Sequence, residues 1–80
     1  MKAKTIKEHD RVVLKSDLPA EGVKAGDVGT VVHIYQDGLS YEVEFTALNG
    51  DTVAVATVET SQVRPVREQE ITHARELQPV

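Results

Sequence analysis

The side chains able to do chemistry are few and widely spread. His9, His33 and His73 lie 24 and 40 residues apart, with no close pair such as the i, i+4 arrangement that seats a metal on a helix. No metal site is expected. Cysteine is absent, which removes thiolate zinc ligands, cysteine nucleophiles and disulfides together. Ser16, Ser40 and Ser61 have no histidine close in sequence and no nucleophile-elbow pattern. Gly22, Gly26 and Gly29 precede no helix whose amino end would hold a phosphate. Glu42 and Glu44 form the one suggestive carboxylate pair. Two residues apart on an extended chain, they project from one face about 6.5–7 Å apart, a separation that acid and base catalysis can use inside a cleft. On a convex strand the same pair is a solvated acidic surface. The inventory points away from an enzyme and calls for no cofactor.

The chain that must position these residues has 80 residues, one phenylalanine, no tryptophan and a formal charge of −4. At this size only about 60–65% of the unfolded chain's surface is hidden on folding, so one small core is expected. No apolar run approaches the roughly 20 residues of a membrane span, and Met1–Lys7 does not continue into a signal-like apolar stretch. A cytoplasmic location without membrane contact is the expectation. The charge is unevenly spread. Residues 1–15 carry Lys2, Lys4, Lys7, Arg11 and Lys15 against Glu8 and Asp10, a balance of +3. Residues 16–62 carry Lys24 alone against Asp17, Glu21, Asp27, Asp37, Glu42, Glu44, Asp51 and Glu59, a balance of −7. Residues 63–80 are neutral. A nucleic-acid binder draws affinity from a basic stripe, and this central field has the opposite sign.

Periodicity predicts strands almost throughout. Arg11–Lys15 is a short β run, ended by a loop of about ten residues containing Pro19 and Gly22. Asp27–Tyr35 reads as a long strand rich in β-branched residues. Tyr41–Phe45 alternates apolar and acidic residues, placing Tyr41, Val43 and Phe45 on one face and Glu42 and Glu44 on the other. Asn49-Gly50 predicts a type I′ hairpin turn into Thr52–Val58, and Gln62–Arg64, halted by Pro65, predicts a short edge strand. With no helix available to cover a flat sheet, the strands must curl on themselves. The expected fold is all-β, a small five-stranded SH3-like barrel over residues 1–66 including a basic arm, with an OB-type barrel second. Gly29 marks a bend, a bulge or a close backbone approach. The core is expected from Val12, Leu14, Val28, Val31, Ile34, Tyr41, Val43, Phe45, Val53, Val55 and Val63.

Residues 67–80 form a charged tail. Ile71, Ala74 and Leu77 recur at i, i+3, i+6 among opposite charges three and four apart, the beginnings of a helix too short and thinly apolar to stand alone. A partly helical segment that orders on the barrel or on a partner is one expectation, a frayed tail the other.

The ordered motifs resemble a family. Ile6–Asp10 before a Val-Val-Leu strand, Asp17-Leu18-Pro19, Gly26–Val32, Tyr41–Phe45 and the Asn49-Gly50 turn are similar to those of small bacterial proteins grouped as domain of unknown function 4926, over about residues 6–66. The resemblance implies a stand-alone SH3-like barrel and, through neighbouring small genes, some toxin-like, a protein partner. His33 stands where the family pattern would have a carboxylate, and the tail lies outside the pattern. More distantly, Gly26–Ile34 is similar to the KOW segment of ribosomal and transcription-elongation proteins. The arrangement also resembles the small barrels that dock electron carriers in photosynthetic complexes and the barrel of the nitrile hydratase β subunit. These are likenesses of fold and license no activity.

Two functional expectations follow. The first is a non-catalytic protein-interaction module, antitoxin-like or an accessory subunit, whose cognate protein partner is the product of a neighbouring gene. Asp17, Glu21, Asp37, Glu42 and Glu44 would steer that partner, and the valine-rich Val53–Val58 strand would supply buried contact, with another protein or a second copy. The second is a KOW-like RNA- or ribosome-associated barrel using Lys2, Lys4, Lys7 and Arg11 as a phosphate-binding arm, with Tyr35 and Tyr41 as stacking platforms that lack basic neighbours.

Overall fold

A computed structural model describes residues 5–77. Five strands follow in chain order: β1 (Arg11–Leu14), β2 (Val28–Ile34), β3 (Ser40–Thr46), β4 (Thr52–Glu59) and β5 (Val63–Pro65). All pairings are antiparallel, and the order across the single sheet is β4-β3-β2-β1-β5. Two 3-10 turns, Pro19–Glu21 and Thr60–Gln62, complete the elements. No helix among the described residues is long and apolar enough to cross a membrane.

Both hairpins close by the same local chemistry. In the turn after β3, the Gly50 N–H donates to the Ala47 carbonyl, the Asp51 N–H donates to Asn49 Oδ1 at 3.0 Å, and only Gly50 has positive φ. The turn after β2 repeats this with Gly38 donating to Tyr35 and the Leu39 N–H donating to Asp37 Oδ1 at 2.8 Å. A type I′ turn needs positive φ at both central residues. Both turns close one residue earlier, over Ala47–Gly50 and Tyr35–Gly38, so Asn49 and Asp37 stay at ordinary φ and only the glycine that follows takes the left-handed conformation.

Inward side chains from all five strands make one core. Val12, Leu14, Val31, Val43, Val58 and Val63 are buried, joined by Val23 from the β1–β2 loop. With no second layer, burial this complete requires the sheet to curl around its own inner face. The two edge strands, β4 and β5, do not pair with each other, so the sheet is not closed into a continuous barrel. The expected core needs one correction of face. Val55 pairs with outward-facing Glu44 and is 48% exposed, whereas Ala56 and Val58 point inward opposite Val43 and Tyr41. The cause is an irregularity in register between Phe45 and Thr46, which takes up one extra residue of β4. Val28, Ile34 and Val53 are half-buried.

Gly29 is required by close approach. A Cβ there would lie 2.5 Å from Val43 Cγ1, 2.9 Å from Phe45 Cε1 and 3.0 Å from the Glu44 carbonyl oxygen. The bulge in β2 sits further along, between Val31 and His33.

Through Leu77, where the described residues end, the tail is neither frayed nor helical. Apart from a turn at Glu68-Gln69, residues 66–77 run without regular secondary structure against the sheet, with Ile71 94% exposed. A helix would have buried only a thin stripe of Ile71, Ala74 and Leu77. The extended path instead lets Glu70, His73 and Arg75 reach partners on the sheet and the β1–β2 loop.

Gly29→Val is expected to cost about 2–3 kcal/mol or more by overpacking, lowering the thermal midpoint by roughly 10–20 °C for a domain of this size. An unchanged midpoint in a calorimetric scan would refute the close approach of β2 to β3. Phe45→Ala, at a position only 3% exposed, is expected to cost about 3–5 kcal/mol, enough to unfold a domain at the low end of ordinary stability. Urea titration measures it directly.

Candidate functional site

The outer face of the sheet divides into two halves, and the tail decides which is covered. On β1 and β2, Val13 pairs with Val28, and both point away from the core. The tail crosses this half: Val66, Glu70, Ile71, Thr72 and His73 line a hollow of about 240 Å³ together with Arg11, Val13, Val28 and Arg64. On β2, β3 and β4 the outer face is open. It presents Val32 at 39% and Val55 at 48% exposure, with His33, Glu42, Glu44 and Thr57 around them.

Two locks hold the tail down. At the first, Arg64 grips Glu70 with two parallel hydrogen bonds, Nη1 to Oε1 at 2.8 Å and Nη2 to Oε2 at 2.6 Å, while the Arg67 N–H donates to Oε1 at 2.7 Å. The Arg64 hydrogen bonds, helped by the Arg67 N–H, hold the Glu70 carboxyl down to about 2 from its ordinary 4.5. The second lock is Asp27. Arg75 donates from Nε to Oδ1 at 2.9 Å and from Nη2 to Oδ2 at 2.6 Å, His73 Nε2 lies 2.9 Å from Oδ1, and the Lys24 N–H donates to Oδ2. Burial alone would push this carboxyl up, but the hydrogen bonds from Arg75, Lys24 and His73 outweigh it and bring Asp27 down to about 2. Arg75 also donates to the Gly22 carbonyl, tying the tail to the β1–β2 loop.

Sequence reasoning counted Asp27 among the acidic residues and gave it no role. One signal was available. His73 and Arg75 are two residues apart, so on an extended chain they project to the same side and can share one carboxylate. The helical reading of the tail separated them.

The five carboxylates expected to steer a partner are dispersed. Asp17 Oδ1 accepts from the Ala25 N–H at 2.9 Å and so shapes the β1–β2 loop. With exposed Glu21 it lines a shallow cleft of about 460 Å³ that also has Lys24, Val53, Arg75 and Leu77 in its walls. Asp37 is engaged in its own turn. Only Glu42 and Glu44 stand together, on the open half. Glu42 Oε1 accepts from Thr57 Oγ1 at 2.5 Å and from the Tyr35 hydroxyl at 3.3 Å, and Glu44 Oε2 accepts from Thr52 Oγ1 at 2.7 Å. Hydroxyls of β4 and Tyr35 therefore fix both carboxylates in position. His33 stacks edge-on with Tyr35 at 4.8 Å between ring centres and lies 3.7 Å from Glu8. Tyr41 is buried, opposite Val58. Among the described residues no three His, Asp or Glu side chains converge as a metal-binding group would.

The basic arm divides in the same way. Lys2 and Lys4 lie outside the described residues. Lys7 and Arg11 are exposed at either end of a turn closed by the Asp10 N–H on the Lys7 carbonyl, and the following pair of bonds between His9, Asp10 and Val31 fastens this segment to β2.

The model of a family described as "Domain of unknown function (DUF4926)" matches residues 8–65. No curated protein and no solved structure matches the chain.

Both locks depend on ionised carboxylates whose folded-state values lie below their unfolded ones. Their contribution is therefore complete above about pH 4.5 and is lost as pH falls through about 2. The tail is expected to remain seated at pH 3.5 and to release as pH approaches 2, followed by the NMR signal of the Arg75 Nε–H. Asp27→Asn should release the Arg75 end at neutral pH. Release of the unaltered protein already near pH 4 would contradict the lowered carboxyl values.

Proposed function

The chain belongs to the DUF4926 family, whose model covers its residues 8–65, and from that premise we propose that it is a non-catalytic protein-interaction module of SH3-like small-barrel type. Its cognate partner is a protein with a basic surface, which it serves in the manner of an antitoxin or an accessory subunit. The observation that carries this reading is the open half of the outer face. Strands β2, β3 and β4 contain no lysine or arginine, while Glu42 and Glu44 are fixed side by side by Thr57 and Thr52. Exposed Val32 and Val55 lie among them. An apolar centre within a preorganised acidic field suits a basic protein surface, because desolvated apolar contact supplies affinity and opposite charge supplies orientation and on-rate.

The barrel reading is supported by the strand order, in which β1 pairs with β2 on one side and the last strand, β5, on the other, and by a core made from one sheet's inner face. The tail supports the choice of face, since it occupies the β1 half with its own side chains.

Affinity capture from the native host, with the neighbouring gene product co-expressed, tests the function. Exchange of both carboxylates for amides, Glu42→Gln with Glu44→Gln, retains acceptors for the threonine hydroxyls and should leave the thermal midpoint within a few degrees. A stoichiometric protein partner should be captured by the unaltered chain and at least tenfold less by the double variant. Capture unaffected by the double variant would overturn the choice of face. RNA bound at physiological salt, with affinity falling steeply as salt rises, would overturn the protein-interaction reading altogether.

A further inference from the structure

Strand β4 is an outer edge of the sheet, and among the described residues no backbone group hydrogen bonds to its far side. The direction of its free groups follows from the ladder. The Tyr35 N–H donates to the Ser40 carbonyl across β2 and β3, and the Thr60 N–H donates to the Leu39 carbonyl across β3 and β4. In an antiparallel ladder the two directions alternate residue by residue. Val58, Ala56 and Ala54 therefore bond to their partners Tyr41, Val43 and Phe45. Val55 and Thr57 turn their N–H and C=O groups to the open edge.

Apart from the 3-10 turn Pro19–Glu21, which packs against β4, and Glu59 at its end, this edge has few of the usual protections. Thr52–Val58 holds seven residues with no charge, proline or glycine and four β-branched side chains other than Val58. Natural sheets commonly guard an exposed edge of this length with lysine, proline or a bulge, because it is a template for another strand. Here the one irregularity lies at the start of β4, leaving Ala54–Glu59 in regular register.

We propose that β4 receives an extended segment of the partner protein as a sixth strand, with lysine or arginine alternating with small or β-branched apolar residues. This rests on the protein-interaction reading above and specifies its mode. Main-chain bonds to Val55 and Thr57 supply the pairing, as in other strand additions. Side chains on the outer face of the added strand lie about 9–10 Å from β3, two strand spacings, so a long basic side chain crosses Val55 or Thr57 to reach Glu44 or Glu42, their pairing partners on β3. The alternate side chains fall on the side of Ala54, half-buried at the rim of the core, and Ala56, buried within it. Charge selects this occupant over a second copy. A second β4 would bring Asp51 and Glu59 against the same acidic surround, whereas a basic segment neutralises it.

The test uses an eight-residue synthetic peptide of alternating lysine and valine, blocked at both ends, with an alternating glutamate and valine peptide as control. Amide hydrogen exchange of the full chain is read by NMR at low salt. In the free protein, Ala54, Ala56 and Val58 amides should exchange slowly and Val55 and Thr57 amides fast. The lysine peptide should slow Val55 and Thr57 at least about tenfold, and the glutamate peptide should not. Perturbation of Glu42 and Glu44 signals without protection at Val55 and Thr57 would overturn strand addition while leaving the acidic docking face intact. No perturbation by the lysine peptide at millimolar concentration would overturn the strand proposal, and the host capture then decides the face by itself. Protection of the two amides in the free protein that disappears on dilution would overturn it in favour of a second copy.

Discussion

Everything in this molecule depends on five short strands burying one face chiefly against one another, with Val23 of the β1–β2 loop joining the core. A layer of helices would relieve the constraint, but the described residues offer only two short 3-10 turns. The solution is curvature, and the Val43 and Phe45 side chains fold so closely over Gly29 that no side chain fits there. The same geometry explains the size of the inward residues. Valines dominate, because β-branched side chains fill a tightly curled pleat without demanding a deep interior, and Phe45 and Tyr41 are the large rings the core accepts.

The curled sheet hides its inner face and leaves a long outer one. Half of that outer face is dealt with inside the chain. The tail crosses β1 and the start of β2 and is held by charge more than by apolar contact: Arg64 with Glu70 at one end, Arg75 and His73 with Asp27 at the other. Exposed ion pairs contribute little singly, but Asp27 has four hydrogen-bond donors within reach in a partly enclosed position, so its lock is the stronger attachment. The other half, around Glu42 and Glu44, stays open. Its charge is uniform, and its carboxylates are held in place by hydroxyls of β4 and Tyr35.

The two hairpins show how far local chemistry reaches. Asn49-Gly50 marked the place of its turn but not the type I′ geometry expected of it: there, as at Asp37-Gly38, glycine alone takes positive φ and the preceding side chain accepts from the residue two ahead. The alternation of Tyr41–Phe45 placed that strand's faces without error, since apolar and acidic residues take opposite sides whatever surrounds them. Val53–Val58 resisted the same treatment. Apolar on both faces, it carries no alternation to read, and a single residue taken up near Phe45 moved Val55 outward and Ala56 and Val58 inward.

From its sequence alone, the protein was determined to be all-β, five-stranded and acidic through its centre, with a hairpin turn at Asn49-Gly50 and Phe45 in its core, because strand period and turn chemistry act over a few residues. The family resemblance was likewise legible in ordered motifs. Tertiary structure decided the rest. It left the sheet open at β4 and β5, set the register of β4, and drew the tail out of its helical pattern to reach Asp27. Contacts across 46 and 48 residues made that last choice. A helix of the tail's length cannot stabilise itself by local hydrogen bonds, so its conformation is settled by the partners that folding brings within reach.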